Sequence, residues 1–228
     1  MRLFALLLAL GFASPVFAQE TAPATPPAAT PAQTPDAAAP ATPPAATPVP
    51  EPPPIVGPRV LLRTSLGDIV LHLDKEHAPL TVANFLRYAK EGHFTGTCFY
   101  RVEPGFVIQA GSWDAAGHGR SVHDPIPLEA NNGLKNVRGA IAMARGDTPK
   151  SATADFFIDL ADTPGLDHQD GDTANTTGFA VFGRVEQGMD VVDKIAAQPL
   201  GGKGPYAAHA PAVPVVITKV AILPDATP

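Results

Sequence analysis

The clearest pattern in the chain is an alternation of apolar and polar residues in two neighbouring stretches, 59–64 (RVLLRT) and 68–73 (DIVLHL). Such alternation is typical of β-strands that bury one face. The connection between them ends in Gly67, and glycine adopts the backbone conformations that tight hairpin turns require. The pattern therefore predicts a β-hairpin over residues 59–73.

A helix is predicted directly after this hairpin. Pro79 stands at its expected first turn, where the missing backbone N–H of proline costs nothing. Apolar residues then recur at helical spacing, and Gly92 ends the pattern. The residues expected on the apolar face are Leu80, Ala83, Phe85, Leu86 and Ala89.

The rest of this region consists of short β-prone runs separated by turn-rich loops. A second helix is expected at 191–197, after Gly188, and a closing strand at 213–223. Eight strands with two well-separated helices are typical of a closed antiparallel barrel capped at its ends. The expected fold is therefore mainly β, a closed eight-stranded antiparallel barrel with two helices. The remaining predicted strands lie at 98–102, 106–109, 140–144, 155–159 and 180–185.

The first 18 residues predict a signal peptide for export. Arg2 supplies a positive charge, and residues 3–12 (LFALLLALGF) form an almost purely apolar run that Pro15 breaks. Val16 and Ala18 then place small residues at positions −3 and −1 of a cleavage site. Because the run is shorter than the ~20 residues that span a bilayer, we expect cleavage and no stable membrane insertion. An uncleaved signal that tethers the domain to the inner membrane is the alternative.

Residues 19–57 form a low-complexity linker. Of the 27 prolines, 14 lie between residues 19 and 58, and the string APATPPAATP occurs at both 22–31 and 39–48. Such a segment buries too little apolar surface to offset the entropy of ordering, and proline favours an extended chain. We predict a disordered linker ahead of one domain at 58–228. An inert spacer, a device for reach and a ligand of the chain's own domain are three open interpretations of the linker.

Composition and charge narrow the possible functions. The chain has 16 basic and 22 acidic residues, and its domain has no run of lysine or arginine, which argues against nucleic acid as a partner. Cys98 is the single cysteine, so no intramolecular disulfide or cysteine-based metal site is possible. The acidic loop 167–172 lacks the register and closing glutamate of a calcium loop. We expect no metal and no cofactor, and a monomer because no motif suggests assembly.

Residues 99–111 (FYRVEPGFVIQAG) stand out because they place Arg101 within an apolar and aromatic stretch. Such an arginine is costly unless its charged end reaches solvent, a partner or a substrate. The segments 138–145 (RGAIAMAR), 154–160 (ADFFIDL) and 165–168 (GLDH) add small and aromatic residues that suit a groove. From periodicity alone, the same aromatic residues suit a barrel core equally well.

Taken in this order, the segments resemble the cyclophilin family, from about residue 59 to residue 223. The resemblance is strongest with the exported bacterial branch, through residues 128–145 (LEANNGLKNVRGAIAMAR) and 178–195 (GFAVFGRVEQGMDVVDKI). It implies a peptidyl-prolyl cis/trans isomerase of the periplasm that acts on proline-containing polypeptides and unfolded exported proteins. No cofactor is implied.

The resemblance also implies roles for individual residues. Arg101 matches the catalytic arginine of the family's F-H-R segment, written F-Y-R here. Phe157 and Leu166 match the floor of a proline pocket, and the backbone at Ala144 and Arg145 matches the strand edge that pairs with the substrate. The complete set of expected substrate-binding residues is Phe106, Val107, Gln109, Ala144, Arg145, Asp155, Phe157, Leu166 and Phe179.

Three positions depart from the family pattern. Asp155 replaces a glutamine, and we expect its carboxylate near Arg101, where it would hold the guanidinium and compete with substrate. Gly165 occupies the position of a pocket-rim aromatic residue, a tryptophan in animal members, which predicts weak cyclosporin binding. Tyr100 replaces a histidine.

Two other functions are compatible with this sequence. One is a non-catalytic chaperone or proline-peptide-binding module on the same fold, in which Asp155 and Gly165 mark the loss of catalysis. The other is a tethered structural protein whose proline-rich segment carries the function. The presence of Arg101, Phe106 and Gln109 favours the isomerase.

Overall fold

The computed structural model describes residues 55–170 and 177–224. The predicted signal peptide and residues 19–54 of the predicted linker lie outside the described residues, as do residues 171–176 and 225–228. None of the helices in the described part has the length and hydropathy needed to cross a membrane.

The described residues form eight β-strands and two α-helices, joined by loops with short 3-10 turns at Pro164–Leu166 and Ala207–His209. The predicted hairpin and both predicted helices are present, and every predicted strand has a counterpart. The elements are β1 (Arg59–Thr64), β2 (Gly67–Leu73), α1 (Pro79–Lys90), β3 (Arg101–Glu103), β4 (Val107–Ala110), β5 (Ala140–Met143), β6 (Phe156–Asp159), β7 (Val181–Gln187), α2 (Met189–Ala196) and β8 (Ile217–Leu223).

The strands form a single sheet in the order β3-β4-β6-β5-β7-β2-β1-β8, and each neighbouring pair is antiparallel. The sheet curls into a half-barrel, which confirms the mainly β, eight-stranded antiparallel prediction. Closure of the barrel was also predicted, but no continuous ladder joins β3 to β8 within the described residues. Instead, the irregular segments ahead of these strands meet, through a bridge between Cys98 and Val216 and a hydrogen bond from Phe99 N to Val215 O of 3.0 Å.

Helix α1 buries Phe85 and Ala89 as predicted, and Leu86 in part, but not the rest of the predicted apolar face. Leu80 is 50% exposed and Ala83 is also exposed, whereas the polar residues Thr81 and Asn84 are buried. Thr81 donates to the Glu129 carboxylate through its backbone N–H (2.8 Å) and its hydroxyl (2.7 Å), and Asn84 Nδ2 donates to the carbonyl oxygen of Thr153 (2.6 Å). These hydrogen bonds satisfy the buried polar groups, so the apolar-face prediction was wrong at Leu80 and Ala83.

Strand β6 separates the core from a second apolar cluster. Successive side chains on a strand point to opposite faces of the sheet. Phe156 joins the main core, where its ring meets Phe85 edge-to-face at a centroid distance of 5.4 Å. Phe157 belongs instead to a smaller cluster with Val107 and Ala142, against which Phe106, Leu166 and Phe179 also pack. The sheet thus presents an apolar surface on the face opposite its core.

Candidate active site

Arg101 is held by its cross-strand neighbour. It lies on β3 directly opposite Gln109 on β4, and paired residues of antiparallel strands project to the same side of the sheet. Arg101 Nη1 donates to Gln109 Oε1 (3.2 Å), and Gln109 Nε2 donates to the hydroxyl oxygen of Tyr100 (2.5 Å). The tyrosine therefore orients the amide with its oxygen toward the guanidinium.

Two further groups contact Arg101. Its Nη2 lies 3.2 Å from Glu103 Oε1, and its guanidinium carbon lies 5.6 Å from the centre of the Tyr206 ring. The arginine side chain still has 26% of its surface exposed. It is therefore fixed in direction, and its remaining N–H groups are within reach of a ligand.

Beside Arg101 lies a pocket of about 260 Å³ that includes nine of the ten predicted site residues. Phe157 forms part of its apolar lining and is held between neighbouring strands, opposite Gln109 on β4 and Ala142 on β5. Its ring meets Phe179 edge-to-face at 5.4 Å. The full lining is Arg101, Phe106, Val107, Gln109, Ala144, Arg145, Phe157, Leu166, Phe179 and Tyr206.

The side chain of Arg145 fastens one wall of this pocket. Its Nε donates to the carbonyl oxygen of Gly178 (2.8 Å), its Nη2 donates to Thr177 Oγ1 (3.0 Å), and its guanidinium lies 4.8 Å from the centre of the Phe179 ring. These contacts hold Phe179 against the apolar surface. The guanidinium of Arg145 is thereby engaged by neighbouring groups of the same chain.

A larger groove of about 740 Å³ lies between residues 55–58 and α1. It is lined by apolar residues such as Val82 and Leu86, together with Lys75 and Lys90, and none of the predicted site residues reaches it. This groove is larger than the pocket beside Arg101. The smaller pocket is nevertheless the better candidate for the active site, because it combines an apolar floor with the oriented guanidinium of Arg101.

Comparison with known proteins identifies the family of this chain. The family model described as cyclophilin type peptidyl-prolyl cis-trans isomerase/CLD matches residues 59–222. This chain belongs to the cyclophilin family.

Named relatives agree with this assignment. The chain is 44% identical over 164 residues to peptidyl-prolyl cis-trans isomerase A of Dickeya dadantii, which covers 72% of this chain and 84% of that protein. It is 43% identical over 163 residues to isomerase B of Escherichia coli, with 72% and 98% covered. The crystal structure of a Cryptosporidium parvum cyclophilin superimposes with a TM-score of 0.58 over 74% of this chain and 99% of that one, and at 22% identity it supports the fold alone.

Asp155 is the one predicted site residue that does not line the pocket of this cyclophilin. Its Oδ1 accepts a hydrogen bond from Ser112 N (2.8 Å), and the Tyr100 hydroxyl also donates to its carboxylate. The expected pairing of Asp155 with Arg101 is not formed, because these local donors hold the carboxylate behind the pocket wall and Glu103 pairs with the arginine instead. Burial raises the pKa of Asp155, and burial also raises the pKa of Tyr100.

Two residues at this cyclophilin site were missed by the sequence analysis, Glu103 and Tyr206. Glu103 lies two residues after Arg101 on the same strand, so the two-residue period of a strand was a usable signal. Tyr206 comes from the loop at 200–212, more than 100 residues away in sequence, and nothing local to it points to the pocket.

Gly165 is a place where this cyclophilin site can accept a side chain. A Cβ atom built on Gly165 meets no atom within 4 Å, and the residue borders a neighbouring cavity with Arg145, Leu166 and Phe179. We therefore predict that Gly165→Trp folds normally and binds cyclosporin at least about tenfold more tightly, since burying an aromatic side chain contributes roughly 1.5–3 kcal/mol. Calorimetric titration of both proteins measures the difference, and an unchanged Kd would show that the rim position does not govern this binding.

Proposed function

We propose that this cyclophilin-type isomerase accelerates rotation about X-Pro bonds in exported polypeptides, with Arg101 as its catalytic residue. One observation carries the proposal. A guanidinium fixed by Gln109 and Glu103 still has exposed surface beside an apolar pocket whose floor includes Phe157.

Isomerisation of an X-Pro bond requires tighter binding of the twisted amide than of the planar one, and it requires no nucleophile. Rotation of an X-Pro bond crosses a barrier of ~18–20 kcal/mol because the amide loses its conjugation. The protein must therefore bind the twisted amide more tightly than the planar one. Phe106, Phe157 and Leu166 would hold the proline ring while the preceding residue rotates.

Arg101 would act on the amide itself. A hydrogen bond from its guanidinium to the pyramidalising prolyl nitrogen would favour the state in which the C–N bond has lost double-bond character. A hydrogen bond to the proline's own carbonyl oxygen, which belongs to the next amide, would hold the guanidinium beside that nitrogen. Gln109 and the backbone of Ala144 and Arg145 would hold the flanking main chain in place. No proton is transferred at any stage.

The required energies show that Arg101 cannot act alone. An acceleration of about 10⁵-fold corresponds to roughly 7 kcal/mol of differential stabilisation. A hydrogen bond to a charged group contributes about 1.5–3 kcal/mol. Positioning of the substrate and exclusion of water by the apolar floor must supply the remainder.

The direct test is isomerisation of a short X-Pro peptide by the purified protein at several protein concentrations. We expect the rate to rise in proportion to the amount of protein. A folded protein that binds the peptide without accelerating its isomerisation would instead favour the non-catalytic peptide-binding module, and Asp155 would be the first residue to revert to glutamine.

We further propose that the protein is exported to the periplasm and assists the folding of exported proteins there. Support comes from the charge at Arg2, the apolar run at 3–12 and the small residues Val16 and Ala18. Expressed in a bacterium with two membranes, the mature protein is expected in the periplasmic fraction with Gln19 as its first residue. A chain that retains Met1 and sediments with membranes would support the uncleaved anchor instead.

A further inference from the structure

Tyr206 brings an additional aromatic ring to the pocket. The ring stacks on Tyr100 at a centroid distance of 6.0 Å and an interplanar angle of 21°, and the Arg101 guanidinium carbon lies 5.6 Å from its centre. Nevertheless Tyr206 remains 46% exposed. Much of the ring is therefore available to a ligand that lies against Arg101.

The loop that carries Tyr206 is fastened to the strand that carries Arg101. Nδ1 of His209 lies 2.9 Å from Glu103 Oε1, the same oxygen that pairs with Arg101 Nη2 at 3.2 Å. The N–H groups of His209 and Ala210 both donate to the carbonyl oxygen of Tyr206, at 2.8 and 2.9 Å. Glu103 thus joins the arginine and the loop, so the tyrosine ring has a defined place beside the guanidinium.

Tyr206 is the most exposed aromatic residue of the pocket lining. Phe157 is buried, and Phe106 and Phe179 are only partly exposed. Gly165, which borders the neighbouring cavity with Phe179, has no side chain, and a Cβ atom built there meets no atom within 4 Å. A substrate side chain that leaves the pocket next to Arg101 therefore meets the exposed ring of Tyr206.

We propose that Tyr206 is a specificity-determining residue that contacts the side chain following the proline and selects an aromatic one. The inference rests on the proposed contact between Arg101 and the prolyl carbonyl oxygen. The carbon of that carbonyl is bonded to the nitrogen of the next residue, so the next side chain lies beside the group that Arg101 holds. The ring packed against Arg101 is Tyr206, and aromatic pairs gain more than their buried area alone provides.

The experiment compares two peptides that differ only after the proline, Ala-Ala-Pro-Phe and Ala-Ala-Pro-Gly, each assayed with the full chain. We expect the wild-type protein to favour the phenylalanine peptide. Tyr206→Ala is expected to lower kcat/KM for that peptide about fivefold more than for the glycine peptide, mainly by raising KM. Tyr206→Phe keeps the ring and should retain the preference, and Val213→Ala, on a side chain that is 74% exposed, is the control.

The ratio of kcat/KM for the two peptides distinguishes a role of Tyr206 in specificity from a purely structural role. Tyr206→Ala can also disturb Arg101, but that effect lowers the rates for both peptides alike and leaves their ratio unchanged. If both peptides are isomerised and the ratio is the same in Tyr206→Ala and the wild type, the role of Tyr206 is overturned and the isomerase stands. If the wild-type protein isomerises neither peptide, the proposed function fails as well.

Discussion

Replacing Arg101 with alanine is expected to lower kcat/KM for a proline peptide by about 100-fold while the protein remains folded. The variant loses a charge-assisted hydrogen bond that forms fully only with the twisted amide, and 1.5–3 kcal/mol corresponds to roughly 10- to 150-fold in rate. Its ion pair with Glu103 is partly exposed, and such pairs contribute about 0–1 kcal/mol to stability. Peptide isomerisation kinetics and a thermal unfolding curve measure the two effects separately.

Arg63→Ala is the matched control for this experiment. Arg63 also lies on a strand and also pairs with a carboxylate, since its Nε is 3.0 Å from Asp68 Oδ1, but it does not line the pocket. We expect unchanged kinetics from this variant. Undiminished turnover by a folded Arg101→Ala protein would remove Arg101 from the mechanism.

The second large effect is expected on stability, at Asp159. Its side chain is fully buried on β6, and neither carboxylate oxygen has a hydrogen-bond partner among the described residues. Burial raises its pKa to about 8, and the nearby carboxylates of Asp167 and Asp162 add to the shift. We predict that Asp159→Asn, which replaces the ionisable group with a neutral one of similar shape, makes the protein more stable at pH 9.

The sign of the pH dependence follows from the two states of this carboxyl. Its pKa is about 8 in the folded protein and about 3.8 in the unfolded chain, so between these values the folded state holds the proton more tightly. The free energy of unfolding therefore falls as the pH rises through this window and levels off above it. At 1.36 kcal/mol per pKa unit the loss is at most about 6 kcal/mol, and local relaxation around the charged carboxylate makes it smaller.

Urea unfolding at pH 5 and pH 9 checks this prediction. The stability advantage of Asp159→Asn over the wild type should be larger at pH 9 than at pH 5, because the folded wild-type protein still holds the proton at pH 5. Asp190→Asn is the control, because Asp190 is exposed, pairs with Lys194 at 2.8 Å, and has a lowered pKa. A stability difference that is the same at both pH values would contradict the assignment of a buried, protonated Asp159.

The strands and helices were predictable because their signals are local. Apolar residues at every second position, such as Val60 and Leu62, mark the hairpin at 59–73, and Pro79 marks the start of α1 directly. The predicted strand at 213–223 begins only at Ile217, because Val215 and Val216 contact the irregular segment ahead of β3 instead of extending β8. Whether two edges of a sheet meet depends on the curvature of the sheet, which the periodicity of apolar residues in the sequence does not indicate.

The pocket was predictable in a different way. Periodicity left open whether Phe157 belongs to the core, and the resemblance to cyclophilins placed it in the pocket. The structure gives the physical reason, since Phe156 and Phe157 take opposite faces of β6. The partners of Arg101 were harder to predict, because Asp155 and Glu103 are both acidic and only the three-dimensional arrangement decides which one reaches the guanidinium.

The central claim is that the pocket beside Arg101 binds the prolyl residue of the substrate. A crystal structure of the protein with an Ala-Pro-containing peptide tests it most directly. We predict the proline ring against Phe157 and Leu166, with the prolyl carbonyl oxygen within about 3 Å of the Arg101 guanidinium. A peptide bound elsewhere, such as in the groove between α1 and residues 55–58, with the Arg101 pocket left empty, would contradict the claim.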